Sequence, residues 1–135
     1  VEAVIRGRFA DSPPVDDRTA QIILELIENV RTHFAVFDSF IAETAPQWPV
    51  EQLSIIDRNA LRMSLAELVV TRKLPFRIII SETLEVGKLY GTESSARFIN
   101  GVLGSLMPRI DEIAVACGLP PLPHDDRTLP PLEAG

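Results

Sequence analysis

Several features that mark other protein classes are scarce in this chain of 135 residues. It has one cysteine, Cys117, which excludes a disulfide framework and a cysteine-rich zinc site. It has no uninterrupted apolar run long enough to span a bilayer, and no apolar stretch behind a basic start that would mark a secretory signal. Hydrophobic residues make up 46% of the chain, which is too apolar for a fully disordered protein and typical of one soluble globular domain.

Positive charge is also scarce overall, since 13 Lys and Arg residues stand against 19 Asp and Glu residues. Taken alone, that balance argues against a nucleic-acid partner. The bases are nevertheless concentrated in residues 57–97, which hold seven bases and five acids, whereas residues 1–56 hold four bases and nine acids. This basic middle segment is either a solvated helical surface or an anion-binding face, and its composition leaves both interpretations open.

Apolar residues recur at three- and four-residue spacing, which predicts an all-α bundle. The spacing predicts a long first helix that is capped by Asp16 or Asp17 and ends near Thr44, ahead of Pro46. A second helix is expected over about residues 54–73.

A third helix is expected to begin at Pro75 and to run to about Tyr90, with Gly91 in the left-handed conformation at its end. The β-branched run at residues 78–80 would also suit a strand, but the apolar spacing around it favours a helix.

A fourth helix is predicted after a Thr92 cap, with Pro108 kinking or dividing it and Gly118 ending it. We therefore expect a helical domain over residues 16–118. Residues 1–15 would be a poorly ordered lead-in or the remnant of a preceding helix, and residues 119–135 a flexible, proline-rich tail.

Three blocks carry a more specific pattern: residues 48–69, 74–91 and 95–106. Their characteristic residues are Trp48-Pro49, Asp57-Arg58, Leu61-Arg62 and Glu67-Leu68 in the first, Pro75, Ile80, Glu82, Glu85, Lys88, Tyr90 and Gly91 in the second, and Phe98, Asn100, Gly101, Val102 and Leu103 in the third. In this order and spacing they resemble the NusB family of bacterial transcription antitermination factors.

The resemblance implies a fold of two small helical bundles packed across each other, with the family's first helix absent from this chain. It implies a non-enzymatic, cytoplasmic protein without a cofactor. Such a protein would bind boxA RNA together with the small ribosomal protein that serves as NusE. The complex would join the elongating RNA polymerase, notably on ribosomal RNA operons.

RNA binding needs cations for phosphates, and flat groups or amides for unstacked bases. The chain's candidates for these contacts are Arg72, Lys73, Arg77, Lys88, Tyr90, Arg97 and Asn100. Each could instead be an ordinary surface or packing residue. Phe98 could stack on a base or belong to the core, and Gly101 indicates either tight helix packing or an Asn100 amide that faces a partner.

Glu67 and Glu82 are the candidates for contact with a protein partner. Glu82 and Glu85 lie three residues apart, but no histidine or further carboxylate converges on them, so neither a catalytic nor a metal site is predicted.

Two other functions stay open at this point. The chain could be the NusB-like accessory domain of a ribosomal RNA cytosine methyltransferase, or a protein-interaction module that has lost RNA binding. Apolar residues left uncovered by a missing first helix also predict a weak tendency to dimerise.

Overall fold

A computed structural model of the chain describes residues 15–45 and 50–122. This part of the chain has no strand, which confirms the all-α class. Its α-helices are α1 (Asp17–Thr44), α2 (Ile55–Ala66), α3 (Phe76–Tyr90), α4 (Ser95–Leu106) and α5 (Ile110–Ala116). The predictions for residues 1–14, for the Trp48-Pro49 turn and for residues 123–135 lie outside the described residues.

The first helix begins and ends where its capping and apolar pattern predict. The side chain of Asp16 accepts a hydrogen bond from the backbone N–H of Thr19 at 2.6 Å. This bond satisfies one of the free donors of the first turn, and it lowers the pKa of Asp16 below its ordinary value. The helix then runs for 28 residues to Thr44.

The second predicted helix is present, but its last part is not α-helical. After α2 the backbone widens into a π-helical segment, Glu67–Thr71. Arg72 ends it in the left-handed conformation, with φ of 55°, which is uncommon for a residue other than glycine. Its guanidinium donates to the carbonyls of Val69 at 2.7 Å and Pro120 at 2.6 Å, so side-chain bonds hold this backbone turn.

The turn between α3 and α4 differs from its prediction in two respects. Gly91 is extended, with φ of −93°, so the predicted left-handed conformation is wrong. A Cβ at Gly91 would lie 2.6 Å from the Ser95 Cβ and 2.7 Å from the Gly87 carbonyl oxygen, so this position needs glycine because the end of α3 and the start of α4 approach closely. The predicted Thr92 cap is also wrong, because Ser94 occupies the N-cap position of α4.

The C-terminal end of the described chain is packed against the bundle. Pro108 divides the last predicted helix as expected, within a 3-10 turn at Met107–Arg109. Gly118 ends α5 with φ of 79°, which also confirms its prediction. The packed chain extends beyond Gly118, because Leu122 is buried and its N–H donates to the Asp111 carboxylate at 3.0 Å.

One hydrophobic core joins the helices, with α1 packed against α2, α4 and α5, and α3 packed against α2 and α4. The apolar stripe of α1 is covered at its C-terminal half, where Phe37 and Ile41 are buried. At the N-terminal half it is open, since Ile22 is 53% exposed. A two-point ion pair between Arg62 and Asp38, at 2.8 and 2.6 Å, joins α2 to α1.

Candidate nucleic-acid interface

The connections between helices decide which candidate residues can meet. Gly87 lies near the end of α3, and Ala96 and Ile99 lie near the start of α4. A Cβ at Gly87 would be 3.0 Å from Ile99 Cδ1 and 3.3 Å from the Ala96 nitrogen. The end of α3 therefore packs beside the start of α4, and the two helices run in opposite directions. Four residues, 72–75, connect the π-helical segment to α3, and such a short connection makes α2 and α3 antiparallel as well. The start of α2, the end of α3 and the start of α4 therefore lie at one end of the bundle, called here the α3–α4 end.

Four of the predicted RNA-binding residues share the α3–α4 end: Lys88 and Tyr90 on α3, and Arg97 and Asn100 on α4. The side chains of Lys88 and Arg97 are exposed. Tyr90 is 69% exposed and is free to present its ring to solvent or to a ligand. This end therefore combines two exposed cations with one exposed aromatic ring.

Asn100 has an unsatisfied acceptor. Its Oδ1 atom is buried and accepts no hydrogen bond in the described structure. A buried acceptor without a donor costs free energy, so it is a position that a donor group would stabilise. The next residue, Gly101, is exposed, and a Cβ there would meet no atom of the described residues within 4 Å. Tight packing against the described part of the chain therefore does not explain Gly101.

Two residues at the same end were not singled out as site candidates from the sequence. Asp57 Oδ1 and Arg58 Nε, on the first turn of α2, are also buried without a hydrogen-bond partner among the described residues. The only signal for them was the Asp57-Arg58 pair within the first of the three blocks. Phe98, by contrast, is half-buried and packs against the core. This agrees with the prediction that Phe98 belongs to the core.

The other three predicted RNA-binding residues lie at the opposite end of α3. Arg72 is engaged by the carbonyls of Val69 and Pro120, Lys73 forms an ion pair with Glu25 at 3.5 Å, and Arg77 is exposed. The length of α3 separates them from Tyr90 by about 20 Å at 1.5 Å per residue. The structure thus divides the predicted set into two groups.

Glu67 and Glu82, the predicted partner contacts, lie close enough to influence each other. Glu67 is half-buried, and burial raises the pKa of its carboxyl above the ordinary value. The negative charge of Glu82 raises the pKa of Glu67 further. Glu82 itself is exposed on α3. The pair is therefore an acidic feature that a cation would stabilise.

The described residues hold no group of three or more His, Cys, Asp and Glu side chains placed to bind a metal ion. Within residues 15–45 and 50–122, no helix is both long and apolar enough to cross a membrane.

A comparison with protein families identifies the relatives of this chain. The sequence profile of the NusB family matches residues 3–108. The chain belongs to the NusB family. The transcription antitermination protein NusB of Dehalococcoides mccartyi is 37% identical over 113 residues, which cover 84% of this chain and 78% of the relative. NusB of Chloroflexus aggregans is 34% identical over 111 residues, 81% of this chain and 73% of the relative.

The fold agrees with this assignment. The solved structure of T. maritima NusB superposes with a TM-score of 0.68 at 27% identity, over 84% of this chain and 74% of that one. The all-α, NusB-like fold implied by the three blocks is therefore confirmed, and the chain is a NusB-family antitermination factor.

Proposed function

We propose that this NusB-family protein binds a boxA-type RNA through the α3–α4 end, together with the ribosomal protein that serves as NusE. The complex joins an elongating RNA polymerase and suppresses termination on ribosomal RNA operons. The observation that supports the RNA-binding part is the helix order, which brings the end of α3, with Lys88 and Tyr90, beside the first half of α4, with Arg97 and Asn100.

Each of these side chains suits a different part of a single-stranded RNA. Lys88 and Arg97 pair with phosphates, and the ring of Tyr90 offers a face on which one base stacks. The free Asn100 Oδ1 accepts from a base amino or imino group once that group reaches it. The open surface at Gly101 leaves room for the ligand backbone to approach.

The α3–α4 end is not uniformly basic, because Glu85 and Glu93 are exposed on the same helix and turn. Phosphate attraction alone therefore supplies only part of the affinity, and stacking and amide contacts supply the selectivity. The ribosomal protein supplies the remaining affinity for RNA. We assign Glu67 and Glu82 to contacts with that protein partner.

The test is a titration of labelled boxA-type RNA and of a scrambled RNA of equal composition, with and without the ribosomal protein. Wild-type protein should prefer boxA RNA, and the ribosomal protein should tighten that binding. Tyr90→Ala should weaken boxA binding by about 1–3 kcal/mol, the usual loss for one stacked base.

Leu89→Ala is the matched control, because Leu89 is 64% exposed on the same helix and has no ring to stack on a base. It should leave affinity for RNA alone unchanged. Equal binding of boxA and scrambled RNA by wild-type protein, with the ribosomal protein present, would contradict the proposal.

A further inference from the structure

The last described residues, 119–122, have the sequence Leu-Pro-Pro-Leu and occupy a defined site on the bundle. The guanidinium of Arg72 donates to the Pro120 carbonyl at 2.6 Å, and the Asp111 carboxylate accepts from the Leu122 N–H at 3.0 Å. The Leu122 side chain is 5% exposed and belongs to the hydrophobic core. A donor, an acceptor and an apolar opening in the core therefore hold this tetrapeptide.

These contacts depend on the tetrapeptide rather than on its place in the chain. Proline fixes φ and has no N–H, so the Pro-Pro pair favours an extended backbone and leaves the leucine N–H groups as the donors. The site uses the first proline carbonyl, the second leucine N–H and the second leucine side chain. The bond from the Leu119 N–H to the Ala114 carbonyl, at 2.9 Å, belongs instead to the end of α5. A second segment of the same sequence can therefore make the same three contacts.

The chain contains such a segment. Residues 129–132, which lie outside the described residues, are again Leu-Pro-Pro-Leu. If they dock in the site, the ten residues 119–128 form a loop between Gly118 and the second copy. The entropy cost of closing a loop grows as three halves of RT ln n, so the direct connection favours the first copy by about thirtyfold. That factor is small enough for a change in the first copy to reverse it.

We propose that the site formed by Arg72, Asp111 and the apolar opening that Leu122 fills recognises Leu-Pro-Pro-Leu, and that residues 129–132 dock there as a second ligand in place of residues 119–122. The tail thus has two registers on the bundle, and the first is dominant in the wild-type chain. Arg72 donates to a proline carbonyl in both registers. The exchange is therefore independent of RNA binding at the α3–α4 end.

Amide hydrogen exchange of the full chain, followed by NMR, distinguishes the two registers. The N–H that bonds to Asp111 belongs to Leu122 in the first register and to Leu132 in the second. In wild-type protein the Leu122 amide should exchange slowly, and the Leu132 amide at nearly the rate of an open chain. Leu122→Asp places a charge in the apolar opening, which disfavours the first register. Exchange of the Leu132 amide should then become about tenfold slower than in wild-type protein.

Urea denaturation tests the same exchange through stability. Leu132→Asp alone should leave the free energy of unfolding unchanged, because the second copy is rarely docked in the wild-type chain. In the Leu122→Asp background the same substitution should destabilise the protein, because it removes the copy that replaced the first. Ala134→Asp adds the same charge outside the repeat and should have no effect in either background. If Leu122→Asp does not fold, the milder Leu122→Ala should shift protection to Leu132 in the same direction.

A Leu132 amide that stays unprotected in both Leu122 variants would overturn the proposal. So would a double variant that is as stable as its parent with the Leu122 substitution alone. Protection of Leu132 that is lost on dilution would show docking between two copies, and would overturn exchange within one chain. Neither measurement uses RNA or the ribosomal protein, so failure here is distinguishable from failure of the boxA titration.

Discussion

Two glycines within helices, Gly87 and Gly101, have opposite surroundings. The first is closely packed and the second is open to solvent. At Gly87 an added Cβ would press on Ile99 and on the backbone at Ala96, whereas at Gly101 it would meet open space. Of these two glycines, Gly87 alone is explained by close packing among the described residues. The sequence shows both as glycines in a helical pattern and does not distinguish them, because the difference depends on what the neighbouring helix places opposite each residue.

Gly101→Ala should raise the free energy of unfolding by about 0.5–1 kcal/mol, the difference in helix propensity between alanine and glycine. Gly87→Ala should raise the free energy of unfolding by less, because close contact of the new methyl group with Ala96 and Ile99 offsets the gain in helix propensity. Urea denaturation of both variants measures the difference. A Gly101→Ala protein less stable than wild type would show that a contact within the chain occupies that space after all.

Glu67 predicts a dependence of stability on pH. Its pKa in the folded state is raised by burial and by Glu82, so the folded state binds more protons than the unfolded state between the ordinary and the raised value. Stability therefore falls as pH rises through that window, and the cost of the charged form is fully present above it.

Glu67→Gln should accordingly be more stable than wild type at neutral pH, because the neutral amide removes that cost. The difference should shrink as the pH falls through that window and should be absent below the ordinary pKa of a glutamate. Urea midpoints of the two proteins across this pH range measure it, with the exposed Glu85→Gln as control. A stabilisation that is equal at all pH values would mean that titration of Glu67 is not its cause.

At the scale of the helices, the ion pair between Arg62 and Asp38 connects α1 and α2 through polar side chains. Both side chains are mostly buried, and the guanidinium also lies 5.4 Å from the centre of the Phe34 ring. The hydrogen bond with Asp38 raises the pKa of Arg62 above its ordinary value, so the guanidinium stays charged at every physiological pH.

Asp38→Ala should lower the free energy of unfolding by about 1.5–3 kcal/mol, since it leaves a mostly buried guanidinium without its acceptor. Glu28→Ala removes the carboxylate of a long, exposed pair with Arg31 on the same helix and should change stability by less than about 0.5 kcal/mol. Thermal or urea unfolding checks both. Equal effects of the two variants would show that burial does not strengthen the α1–α2 pair.

Helix positions were predictable from the sequence, whereas some helix ends were not. Asp16, Pro108 and Gly118 act locally, through a cap, a missing N–H and a left-handed backbone, so their roles follow from residue type. The π-helical segment was missed because its left-handed end at Arg72 is held by the carbonyl of Pro120, which is distant in sequence. Gly91 was misassigned for a similar reason, since Ser95 decides what fits there.

At the scale of the whole molecule, a net charge of −6 coexists with the α3–α4 end, the surface that we propose binds RNA. The sequence identified the residue types of that surface, and their pattern placed the chain in the right family. It did not show that α3 carries Lys88 and Tyr90 at one end and Arg77 at the other. That separation depends on the antiparallel packing of three helices, which brings residues from two neighbouring helices to the same end as Tyr90.

The most direct test of this arrangement compares Arg97→Gln with Arg77→Gln in boxA RNA titrations over a range of salt concentrations. Both substitutions remove one exposed arginine charge, but from opposite ends of α3. Arg97→Gln should weaken binding and reduce the slope of log affinity against log salt by about one, the value for one lost phosphate contact. Arg77→Gln should change neither quantity. The reverse result, with the slope reduced by Arg77→Gln and unchanged by Arg97→Gln, would contradict the placement of the RNA at the α3–α4 end.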